Sequence, residues 1–176
     1  VDAAQRATEL NPELVEAWRE LGDAYLEMRD AGRAEAAFRQ GLARDDTYGL
    51  LYGKRAQALL ELGRKSDALR SVESALELGG DTFFLAAVKG DVLSAMERHR
   101  EAAEAYDQAL KIEPDNHWAL HQAAIEHGAA GNHDRAIDLF ELALVHDGDG
   151  CHQTLVDYAD LMRKLGRIGD AVRLYR

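Results

Sequence analysis

Six of the seven histidines lie between positions 117 and 152: His117, His121, His127, His133, His146 and His152. Imidazole is both a common metal ligand and the usual general base near neutral pH. His117 and His121 are four residues apart, so one helical face would carry both toward a shared ion, and Cys151 with His152 would bring further ligands. No acidic ligand stands at motif spacing beside them, so packing and solvated surface are expected here rather than a metal. Asp147-Gly148-Asp149-Gly150 has the alternating acids of a calcium loop but lacks the later bidentate glutamate, and is read as a turn. There is no G-x-S-x-G, no phosphate-binding glycine loop and no H-E-x-x-H. The serines have no partnered histidine pattern, and the many carboxylates fall on faces expected to be solvated. The expectation is a chain that is not an enzyme and that uses no cofactor and no metal.

The totals narrow the partners. Of 176 residues, 21 are Lys or Arg and 32 are Asp or Glu, a net charge of −11. A surface this acidic lacks the phosphate-neutralising charge that nucleic acids and anionic lipids require, so neither is expected as a partner. The longest apolar run, Phe83 to Val88, ends at Lys89, far short of the roughly 18–20 residues a membrane helix needs. A single cysteine allows no intrachain disulfide and fits a reducing compartment, so a cytoplasmic location is favoured. The chain opens at Val1 without a basic-then-apolar leader, so a targeting signal would lie outside it. Its wealth of alanine and arginine suggests a GC-rich bacterial gene.

The elements follow from a period. Ala34, Ala68, Ala102 and Ala136 are each 34 residues apart, and Ala171 follows after 35. Four residues on stand Phe38, Val72, Tyr106, Phe140 and Tyr175; beyond them come Gly41, Ala75, Ala109 and Ala143, each followed by leucine. Upstream, Gly22, Ala56, Gly90, Ala124 and Ala159 form another column. Columns that share one period mark a repeat array, whose units bury their apolar faces only by stacking. Within a unit the apolar residues recur at helical spacing twice, around a short break at Arg29-Asp30-Ala31-Gly32, Gly63, Glu97-Arg98, Gly131 or Gly166. The units join at Asn11-Pro12, Asp45-Asp46, Gly79-Gly80-Asp81, Pro114-Asp115-Asn116 and Gly148-Asp149-Gly150, where proline costs no helical hydrogen bond. Small residues are expected to meet where the two helices cross, Gly22 against Ala34 and Ala56 against Ala68, with Trp18, Tyr25 and Phe38 filling the space beside them.

This spacing predicts helix pairs at about 14–28 and 31–44, 48–61 and 65–78, 82–95 and 99–112, 116–129 and 133–146, then 151–164 and 168–176. The Trp18, Leu21-Gly22, Tyr25, Ala34, Phe38, Gly41 set resembles the tetratricopeptide signature, as do Lys89-Gly90, Ala102, Tyr106, Ala109-Leu110, Pro114 in the third unit. Tyr52-Gly53-Lys54-Arg55-Ala56 resembles a basic variant of it. Gly41 replaces a usual alanine, His127 a usual tyrosine, and Leu120 a usual opening aromatic; His127 and His133 sit in columns where such repeats pack a ring. The resemblance implies an all-α, right-handed superhelical solenoid of antiparallel helix pairs. Residues 1–13 would be the closing helix of a preceding repeat, 14–47, 48–81, 82–115 and 116–150 four repeats, and 151–176 a truncated fifth, all in one continuous domain. Neither end carries an obvious polar cap, so the chain is expected to be part of a longer protein or to be covered at its ends by another chain.

In the family the first helix of each pair lines the concave face. The resemblance therefore places on that face Glu16, Leu50, Phe84 and Trp118; Arg19, Gly53, Ala87 and His121; Asp23, Gln57, Asp91 and Ile125; and Leu26, Leu60, Ser94 and Gly128. The partner-binding candidates are Arg19, Asp23, Leu26, Leu50, Lys54, Gln57, Phe84, Asp91, Trp118, His121 and Ile125. Leu50, Phe84 and Trp118 would make an apolar row, either a groove for a peptide or helix or a part of the core. Some relatives grip C-terminal carboxylates with cations from successive first helices; Arg19, Asp23, Lys54 and Ala87 stand there instead, and Asp23 would repel the ligand. The asparagine ladder of another branch is also missing. The function implied is a protein–protein interaction scaffold. The alternatives are a recruiting segment of a larger sulfotransferase or glycosyltransferase, and an array that self-associates through its open ends.

Overall fold

The structure is a computed structural model that describes residues 1–79, 82–146 and 152–175. The Gly80-Asp81 joint, the Asp147-Gly148-Asp149-Gly150 segment, Cys151 and Arg176 lie outside the described residues, and with them the calcium-loop and cysteine-ligand readings. Among the described residues there are eleven helices and no strand: α1 Asp2–Leu10, α2 Val15–Glu27, α3 Ala31–Leu42, α4 Gly49–Glu61, α5 Lys65–Glu77, α6 Phe83–Ala95, α7 His99–Ile112, α8 His117–Ala129, α9 His133–His146, α10 His152–Lys164 and α11 Ile168–Leu174. From α2 onward each helix begins and ends within two residues of its expected span. No helix among the described residues is long and apolar enough to cross a membrane. The chain divides into two compact units, Val1–Met96 and Glu97–Arg176.

In the N-terminal unit α2 packs on α3, α4 on α5, and α6 covers α4 and α5. One core cluster joins Leu21, Tyr25, Ala34, Phe38 and Leu51 from α2, α3 and α4. Another joins Leu59, Val72, Leu85, Val88 and Val92 from α4, α5 and α6. The reading of the small column needs correction. The nearest neighbours of Gly22 across the pair are ring atoms of Phe38, and a Cβ at that position would overlap the ring. Gly41 makes way for the Leu51 side chain in the same manner. These glycines seat a large side chain rather than bring two small ones together.

The breaks inside the pairs are built alike. Arg29, Gly63, Glu97, Gly131 and Gly166 all have positive φ, between 57° and 86°. The next residue's amide donates back across the turn, as Asp30 to Tyr25, Arg64 to Leu59, Asn132 to His127 and Arg167 to Met162. That is the left-handed helix ending glycine favours. Glycine does not hold the left-handed position at every break. Gly32 lies inside α3, and Arg29 and Glu97 take the left-handed position themselves.

In the C-terminal unit α7 packs on α8, α8 on α9, α9 on α10 and α10 on α11. Tyr106, Leu120, Leu139, Phe140, Tyr158 and Met162 are buried there. The rings of Phe140 and Tyr158 stack at 5.4 Å. Buried polar pairs tie α7 to α8. His99 Nδ1 lies 2.8 Å from Glu126 Oε2, and His127 Nε2 lies 3.0 Å from Asp107 Oδ2. Asn132 donates to Nδ1 of His127, so Nε2 is the nitrogen that carries the proton toward Asp107.

Candidate functional site

The expected Leu50–Phe84–Trp118 row divides between the two units, with Leu50 and Phe84 in the first and Trp118 in the second. In the N-terminal unit, four of the expected residues are brought together along α2, α4 and α6. Arg19 Nη1 donates to Asp23 Oδ2 at 3.2 Å, and its other terminal nitrogen meets Glu20. Lys54 Nζ stands 3.1 Å from Asp23 Oδ1 but off the hydrogen-bond direction, so charge rather than a directed bond holds that oxygen. The same ammonium sits 5.4 Å from the centre of the Phe84 ring, within cation–π range. Phe84 is half-buried and packs against the α4–α6 core, its edge over Gly53, where a Cβ would come within 2.7 Å of it. Asp23 thus engages both cations.

Leu50 is 36% exposed and lines a 220 Å³ cleft with Leu78, Thr82 and Leu85 at the joint between pairs. Leu26 packs on the α2–α3 core, while Gln57 and Asp91 are half-buried.

In the C-terminal unit, Trp118 is 37% exposed yet meets the buried Tyr106 ring edge-on, with centroids 5.9 Å apart. The row's two aromatics are therefore part core and part surface. His121 turns to α10, where its Nε2 lies 2.9 Å from Asp157 Oδ2; Gln153 donates to the same oxygen. Among the described residues no three His, Cys, Asp or Glu side chains gather to hold a metal ion. Ile125 lines a pocket of 230 Å³ bounded by α8, α9 and α10. Its apolar walls are Ala124, Ile125, Ala129, Phe140 and Leu161, with Gly128 leaving one side bare. Asp157, Asp160, Lys164 and His133 supply the polar lining. Hydrogen bonds from Arg163 and then Tyr175 hold the Asp160 carboxyl below its ordinary range, so it carries charge at neutral pH.

The periodicity reasoning missed most of this pocket. Phe140, Asp157, Asp160, Leu161 and Lys164 come from α9 and α10, beyond the columns assigned to binding. A signal did exist in Gly128, which follows Leu26, Leu60 and Ser94 at the same 34-residue position and alone there has no side chain.

Comparison with known proteins bears on the fold. A family profile described as tetratricopeptide repeat matches residues 1–49 and 88–150, more than half of the chain. Stress-induced-phosphoprotein 1 of Caenorhabditis elegans is 30% identical over 122 residues, covering 66% of this chain; the chain spans only 37% of that protein's length. Among solved structures, PilW, a type IV pilus biogenesis factor, superposes with a TM-score of 0.89 at 17% identity, over 98% of this chain and 80% of its own. YrrB, described as a repeat protein with an unusual peptide-binding site, gives 0.80 at 18% identity, over 98% of this chain and 88% of its own. MamA gives 0.74 at 23% identity, over 83% of this chain and 85% of its own. At these identities the likeness is one of fold: all-α stacked helix pairs.

Proposed function

We propose that this chain, which belongs to the tetratricopeptide repeat family, is a non-catalytic interaction scaffold that holds a peptide or helix of a partner protein against its first helices, α2, α4, α6, α8 and α10. The observation that carries this reading is the state of the side chains on those helices. Phe84 and Trp118 are fixed by the core at one edge and open at another, and Ile125 borders a pocket. Such anchored, partly exposed aromatics match the residues that dominate binding energy at interfaces, because little conformational entropy is lost when a partner covers them. The peptide-binding description of YrrB and the family membership support the same reading.

Site-specific photocrosslinking tests it. A photoreactive residue is placed at Gln57 or Ile125 on first helices, and at the exposed Arg39 or Glu104 on second helices. Added to native lysate, the first-helix probes are expected to give discrete adducts that excess unlabelled chain competes away, and the second-helix probes none. Equal adducts from both sets would overturn the reading. Adducts of twice the chain mass alone would replace it with self-association.

A further inference from the structure

Gly128 has no structural reason to be glycine. It lies inside α8 with ordinary helical φ, and a Cβ there would meet Leu161 Cδ1 at 3.5 Å and Ala136 Cβ at 3.8 Å, both normal contacts. Gly53, by contrast, is required, since a Cβ would come within 2.5 Å of Leu85 and 2.7 Å of Phe84. Glycine in a helix weakens it relative to alanine. Here that weakness brings no tighter packing and no special turn. Its bare backbone instead forms part of the wall of the 230 Å³ pocket. A dry cavity of about 150 Å³ lined by aliphatic and aromatic groups is enough to hold benzene. This pocket is larger and apolar-walled, so an aromatic or branched aliphatic side chain fits it. Its polar lining is Asp157 and Asp160, engaged by His121 and Arg163, with Lys164 and His133. The whole chain carries −11, so its field favours a basic neighbour over an acidic one.

The geometry points to the α8–α10 pocket as the seat for one large apolar side chain of a partner peptide that carries basic residues beside it, with Gly128 as the position that keeps the seat open. This rests on the scaffold reading and gives it a partner class.

The test uses isotope-labelled full chain and blocked tripeptides followed by amide chemical shifts. Arginyl-phenylalanyl-arginine amide is expected to shift Ala124, Gly128, Phe140 and Leu161 with a dissociation constant of about 1–10 mM, the range one buried side chain can supply. An alanine centre is expected to bind about tenfold more weakly, and glutamyl flanks several-fold more weakly. Gly128→Leu fills the pocket and abolishes the shifts while the melting temperature holds. Should that variant unfold, Gly128→Ala, which fits by ordinary contacts, is expected to keep the fold and weaken binding several-fold. Asp160→Asn narrows the preference for basic over acidic flanks. No shift at about 10 mM peptide, equal shifts in both Gly128 variants, or equal binding of the alanine-centred peptide overturns the inference. If adducts at Gln57 and Ile125 nonetheless form, the scaffold reading stands without it. If the tripeptide binds while first-helix adducts are absent, the seat is real and the scaffold reading fails.

Discussion

Glycine-to-alanine changes at Gly53 and Gly128 separate two reasons for placing glycine in a helix. At Gly53 the added methyl would come within 2.5 Å of Leu85 Cδ2, about an ångström closer than normal contact. Leu85 is buried among α4, α5 and α6 and, apart from the cleft it borders with Leu50, is packed on all sides by the core, whereas Phe84 is half-buried. Overpacking of this kind costs about 1–3 kcal/mol, against a helical gain from alanine of about 0.5–1 kcal/mol. Gly53→Ala is therefore expected to destabilise the N-terminal unit by about 1–2 kcal/mol. At Gly128 the nearest atoms stand at 3.5 and 3.8 Å, so the helical gain is opposed by nothing, and Gly128→Ala is expected to stabilise the C-terminal unit by about 0.5 kcal/mol. The two tryptophans provide the assay, since Trp18 lies in one unit and Trp118 in the other. Urea unfolding followed in Trp18→Phe and Trp118→Phe backgrounds resolves which unit responds. A Gly53→Ala chain as stable as its parent, or a Gly128→Ala chain less stable than its parent, would refute the steric reasoning and remove the premise that Gly128 is spared for a ligand.

Further outcomes follow from the turns, the buried pairs and the titrating groups. Arg29→Gly and Glu97→Gly each relieve a left-handed residue that bears a side chain. Each is expected to raise stability by about 0.5–1 kcal/mol in denaturant unfolding once the looser unfolded chain is counted. Glu35 is 6% exposed and is held by Arg55 Nε at 3.0 Å. Arg55→Met is expected to cost about 2–3 kcal/mol by stranding that carboxylate, while Glu35→Leu with Arg55→Met restores stability to within about 1 kcal/mol of the parent. Partial burial pushes the Asp107 carboxyl up, but the hydrogen bond from His127, with the charge of Arg135, outweighs it and holds the group below its ordinary value. A depressed carboxyl stabilises above its unfolded value and loses that effect as pH falls through the folded one. The deficit of Asp107→Asn, read by thermal unfolding, is thus expected at pH 6 and to close below about pH 4. Burial, with Glu141 beside the hydroxyl, pushes Tyr158 up to about 12. Its contribution is whole below the ordinary phenol value and disappears as pH rises toward 12, so ultraviolet titration is expected to show late tyrosine absorbance from Tyr158 and Tyr175, of which Tyr158→Phe removes the Tyr158 part.

How far the sequence could be read depended on whether an interaction was local. The helix spans were legible because each rests on periodic apolar positions and on breaks at a constant interval. The same columns placed Phe38 and Phe140 in the core, where they lie. The Arg29 and Glu97 turns were not legible as left-handed, because glycine is the only residue that announces that conformation in sequence; there the hydrogen-bonded ending is formed without it. The partner of Gly22 was misassigned because the spacing says which faces meet and not how far a ring on one helix reaches toward the other. The pairing of Asp23 with Lys54 was not legible, since it depends on the register between α2 and α4.

The same distinction bears on where binding information sits in such an array. Core columns are constrained twice, within the pair and against the next pair, so their residue types repeat with the period. Positions on the first helices that face away from the core escape that constraint, and their departures from the column carry the individuality of the chain. Departures within the packed faces have a packing consequence instead: Gly53 on α4 clears space for Phe84 and Leu85, and Gly41 on α3 for Leu51. Gly128 departs from a column of Leu26, Leu60 and Ser94 and clears space that no side chain of its own unit fills. Gly128 weakens its helix without improving the core, and Asp157, Asp160 and Lys164 give the pocket beside it a directional chemistry. In a fold whose architecture is common to many proteins, such an unexplained glycine tells more about a partner than the well-packed aromatics do.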